Sequence, residues 1–97
     1  MAAAAQFELR KVFRLSHGPF IVFAGHILDG TVHPGMEISL ELQPRLSCSC
    51  EILSIEYVDY VSAGETLVGL LCAETEPDEA ALYADLCPPG TVLEVNG

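Results

Sequence analysis

Basic residues are scarce in this sequence: four Lys and Arg stand against fourteen Asp and Glu, a formal net charge of -10. Sequence-independent nucleic-acid binding depends mainly on Lys and Arg neutralising phosphates, so it is disfavoured. Anionic membrane surfaces are disfavoured on the same ground. Long hydrophobic runs are lacking too, and none approaches the ~18–20 residues that a membrane span requires. The opening Met1-Ala2-Ala3-Ala4-Ala5 lacks the basic start and long apolar stretch of a secretory signal, and Glu8 soon interrupts it. A cytoplasmic location follows as the expectation, with residues 1–6 forming a frayed end. Catalytic signatures are missing as well: no G-x-x-x-x-G-K-[ST], no G-x-S-x-G and no H-E-x-x-H occurs. The expectation is a protein without enzymatic activity, cofactor or bound nucleotide.

Ninety-seven residues suit one domain and leave no room for two. The apolar share of 51% favours a packed core over disorder. Four cysteines, Cys48, Cys50, Cys72 and Cys87, are expected to be reduced thiols in the absence of a signal segment. Cys48 and Cys50 share one face of a strand and could supply half of a thiolate metal site. No Cys-x2-Cys pair supports that, and core packing as small hydrophobes is the plainer role.

Turn residues recur roughly every eight to twelve positions, with β-branched and aromatic residues between them, as in a β-barrel or sandwich. A first strand covers 7–15, with a bulge near Arg10-Lys11 where its alternation breaks. His17-Gly18-Pro19 turns the chain into a second strand at 20–28, and Asp29-Gly30 ends it. Residues 36–42 alternate cleanly, with Met36, Ile38, Leu40 and Leu42 on one face and Glu37, Ser39 and Glu41 on the other. The stretch 46–58 switches parity between Ile52 and Leu53, which predicts a bulge or a bend between two walls of a barrel. Strands at 66–73 and 91–95 complete the set, and a short helical turn is expected near 77–85, between Pro77 and Cys87-Pro88-Pro89-Gly90. The expected core includes Phe13, Val22, Ile27, Met36, Ile38, Leu40, Ile55, Leu70 and Val92.

One order of motifs is recognisable. Val12-Phe13-Arg14-Leu15 precedes Val22-Phe23-Ala24-Gly25-His26-Ile27-Leu28-Asp29-Gly30-Thr31-Val32-His33-Pro34-Gly35-Met36-Glu37-Ile38; Ile52 to Glu56, Ala63-Gly64-Glu65 and Gly69-Leu70-Leu71 follow, with 85–93 as a looser close. Between about Leu9 and Val95 this resembles the second domain of elongation factor Tu-type translational GTPases, standing alone without the GTPase. The resemblance implies an all-β fold, a six-stranded antiparallel Greek-key barrel of the translation-factor domain 2 type, acting as a non-catalytic binding or accessory module. Arg10 and Lys11 stand where that family has acidic residues that receive aminoacyl-tRNA, His17-Gly18-Pro19 replaces its G-R-G loop, and His26 replaces its Arg. No binding residue of the family is therefore carried over.

Two charged groups are candidates for interaction. Glu74, Glu76, Asp78, Glu79 and Asp85 form an acidic stretch, read either as a solvated helix start or as a docking surface for a basic partner. Arg10, Lys11 and Arg14 fall within five positions, either as solvated charges guarding a strand edge or as a spot that contacts RNA or the ribosome. His17, His26 and His33 belong to no catalytic or metal-binding motif. The expected partner is a protein, basic in character, bound through the acidic stretch or an open strand edge. Residues 91–95 and 7–15, near the chain ends, are the expected edges, where a second copy could also pair into a homodimer.

Overall fold

Strand-forming sequence dominates the computed structural model, which describes residues 4–15, 18–43, 46–60, 64–74 and 79–97. The elements run β1 (Ala5–Arg14), β2 (Phe20–Gly30), β3 (Glu37–Gln43), β4 (Leu46–Tyr60), β5 (Glu65–Ala73), α1 (Glu79–Leu86) and β6 (Val92–Asn96). All neighbouring strands pair antiparallel, and the sheet closes on itself in the order β1-β2-β5-β4-β3-β6. β3, β4 and β5 follow one another as neighbours while β6 returns beside β3, which is a Greek-key arrangement. Closure pairs β6 with both β1 and β3, so β6 is not an edge. β1 is bonded to β2 and β6, and α1 packs against it. The open edge expected at 91–95 is thus corrected, since β6 pairs with β1 and β3; of 7–15, β6 and Thr91 cover the stretch up to Leu9, while Lys11 to Arg14 pair with β2 alone among the described strands.

Both breaks in alternation appear as register shifts. In β1, Leu9 faces Gly25 and Lys11 faces Ala24, leaving Arg10 as the extra residue. In β4, Ile52 faces Cys72 and Ser54 faces Leu71, leaving Leu53 as the extra residue. A third shift near Gln6 and Phe7 makes Leu28 the unpaired residue of β2.

The main core gathers Phe7, Leu9, Ile21, Phe23, Ile38, Leu40, Ile52, Leu70, Cys72, Leu93 and Val95, all buried. Tyr83 and Cys87 join it from α1 and its C-terminal end, with the Tyr83 ring 5.7 Å from that of Phe23. On the opposite face of β1, β2 and β5, Val22, Ala24 and Leu67 are buried among Phe13, Leu15 and Leu71. Phe13 packs in that second cluster because the Arg10 bulge reverses the parity of β1.

Three expectations are corrected. Ile27 is 37% exposed, because pairing between β2 and β5 stops at Gly25 and the end of β2 runs past that wall. Val92 is 49% exposed, because Leu93 and Val95 are the inward residues of β6. Ala5 and Gln6 are not frayed: both pair with β2 and β6, and Ala5 is buried. Two glycines let backbones meet closely. A Cβ on Gly25 would run into the Glu8 carbonyl oxygen, and one on Gly30, held at φ +79°, into that of Ala4.

Candidate binding site at an open strand edge

β4 is long enough to serve two walls. Residues 46–51 pair with β3, and from Ile52 onward the strand pairs with β5 as far as Tyr60 opposite Glu65. Ile52 is the hand-over point: its N–H donates to the Met36 carbonyl at 2.8 Å, and its own carbonyl accepts from Gly35 N–H at 2.8 Å. Beyond it, on the β3 side, the chain turns away through Pro34-Gly35 towards β2. Residues 53–60 of β4 therefore have β5 on one side and, among the described residues, no strand on the other.

Side chains along this edge remain uncovered. In register, Phe23, Leu70 and Ile55 form one row of the main-core face, and Gly25, Val68 and Tyr57 form the next. Phe23 and Leu70 are fully buried, Ile55 and Val68 are half-buried, and Tyr57 is 80% exposed. The inner face of the barrel thus emerges into solvent along β4, with Leu53 exposed at its base. Glu51 and Glu56 are exposed beside it, and Ser54 Oγ donates to Glu56 Oε1 at 3.5 Å.

The basic spot lies on the opposite wall, since β1 is three strands from β4 in either direction round the ring. Each member has a partner on its own chain. Arg10 pairs with Glu8 at 3.7 Å, Lys11 Nζ lies 5.5 Å from the centroid of the Phe13 ring, and Arg14 Nε donates to Glu74 Oε1 at 2.8 Å. The spot is divided among three separate interactions rather than assembled into one cationic surface.

The acidic stretch is also divided. The Glu74 side chain is only 5% exposed, its backbone N–H donates to the Pro19 carbonyl at 2.7 Å, and its Oε2 is buried without a hydrogen-bond partner among the described residues. Glu74 ties the end of β5 to β1 and to the β1–β2 turn. Asp85 is an exposed charge on α1. Glu76 and Asp78 lie outside the described residues, as does the side chain of Glu79. Cys50, Cys72 and Cys87 are thiols packed in the main core, and Cys50 Sγ lies 4.0 Å from Tyr83 Oη. The Cys48 side chain and His17 lie outside the described residues. Among the described residues, no three His, Cys, Asp or Glu side chains are grouped to hold a metal, and no helix is long and apolar enough to cross a membrane.

Reasoning from the sequence placed open edges on β6, which is paired on both sides, and on β1, which pairs with β2 alone from Lys11 to Arg14, and it missed the one on β4. The signal for β4 was there: the parity switch at Ile52-Leu53, in a strand too long for one neighbour. No protein-family model, no curated protein and no solved structure matches the chain.

Proposed function

We propose that this barrel is a non-catalytic binding module of the translation-factor domain 2 type, working in the cytoplasm and taking a protein partner along the outer half of β4. One observation carries the proposal: an unpaired strand edge bears an aromatic side chain, Tyr57, that is 80% exposed on the face that elsewhere forms the core. Exposed strand edges are templates for pairing, and large aromatics at such places are frequent anchors for partners. The translation-factor component draws support from the order of motifs between Leu9 and Val95, and from close backbone approaches at Gly25 and Gly30.

The test is capture of proteins from a cell lysate on the immobilised chain, repeated with the double variant Leu53→Ser, Tyr57→Ser and with Asp85→Asn. Both leave the buried core intact, which circular dichroism verifies. The double variant should lose the captured proteins and Asp85→Asn should keep them. Equal capture by all three would place the partner site elsewhere.

A further inference from the structure

We infer that the occupant of the β4 edge is an extended peptide segment of the partner in which Lys or Arg alternates with apolar residues, added as a further strand; this rests on the binding-module reading above and specifies its partner. An added strand satisfies backbone groups along the edge, and its side chains fall alternately on the two faces of β4. One face offers Ile55 and Tyr57, an apolar surface continuous with Val68 and the core. The other offers Ser54 and Glu56. A strand laid against this edge thus meets apolar contacts on one side and a carboxylate on the other. Directly opposed residues of opposite charge stabilise such a pair, and like charges destabilise it.

Residues 53–60 contain no Lys, Arg, Pro or Gly, and the Leu53 bulge protects only the base. The described basic side chains, Arg10, Lys11 and Arg14, sit on β1 across the barrel, so none of these three stands beside residues 53–60 to repel a cation. A second copy fits poorly, because two chains of net charge -10 would bring Glu56 against an equally acidic strand. A nucleic acid is opposed by the same charge.

The experiment is an amide NMR titration of the intact chain with a synthetic peptide of about nine residues alternating Lys and Val, long enough for the edge at about 3.3 Å per residue. Control peptides replace every Lys by Glu, or the central Val by Pro, which removes a backbone donor. The Lys-Val peptide should give saturable shifts centred on residues 53–57 and bind at least ~10-fold tighter than either control. Tyr57→Ser should weaken it by a similar factor, about tenfold. Unsaturable shifts spread over the acidic surface, or equal binding of the Glu or Pro peptide, would overturn the inference. So would a Tyr57-dependent dimer in sedimentation velocity, which would make a second copy the occupant. If lysate capture depends on Leu53 and Tyr57 while the Lys-Val peptide does not bind, the binding-module reading stands and this inference falls. If neither occurs, both fall.

Discussion

Ile38 shows how far single residues could be read. It alternates with Glu37 and Ser39, faces Cys50 and Val95 across its two neighbours, and is fully buried. Ile38→Ala should lower the unfolding free energy by ~2–5 kcal/mol in a urea titration, and a loss under ~0.5 kcal/mol would contradict its place in the core. Alternation was enough here because β3 is regular in that region. It was not enough for Val92, where a strand of five residues gives too few repeats to fix parity. Glu74 was legible as an acid but not as a buried one, since its burial comes from Arg14, sixty positions earlier in the chain. Removing Arg14 strands a buried carboxylate, whereas Glu74→Gln keeps an acceptor and removes the charge. Arg14 is 60% exposed, so solvent screens part of the pair. Arg14→Met should therefore destabilise by about 1 kcal/mol, and Glu74→Gln by less, in the same titration. The reverse order would mean that the ion pair does not hold Glu74 in place.

Among the elements, strand positions were readable and their neighbours were not. Turn residues such as Asp29-Gly30 and Pro34-Gly35 mark where strands end, and broken alternation marks the bulges at Arg10 and Leu53. The pairings of β2 with β5 and of β3 with β6 join segments far apart in the chain, and no local pattern encodes them. α1 illustrates the same limit. Its sequence favours a helix, but its attachment depends on Tyr83 meeting Phe23, a contact between distant segments. Tyr83 is 6% exposed, so Tyr83→Ala should destabilise the protein by ~3–5 kcal/mol and diminish its near-ultraviolet circular dichroism. A loss below ~1 kcal/mol would indicate that α1 is dispensable to the barrel.

Taken together, the strands form a ring whose two walls differ in charge and in cover. β1 carries Arg10, Lys11 and Arg14, each with its own partner; across the barrel, β4 carries an uncovered apolar face beside Glu51 and Glu56. In the sequence the candidate site was marked only by the parity switch at Ile52-Leu53, because it is defined by what stops short. β3 pairs with β4 only as far as Glu51, and Ile52 makes the last bonds to the Met36 side. Amide hydrogen exchange followed by NMR, residue by residue along β4 of the unliganded chain, tests this most directly. The account predicts slow exchange for amides bonded to β3 or β5, and fast exchange for those between 53 and 60 that point away from β5, so that protection alternates beyond Leu53. Uniformly strong protection from Leu46 to Tyr60 would contradict an open edge on β4.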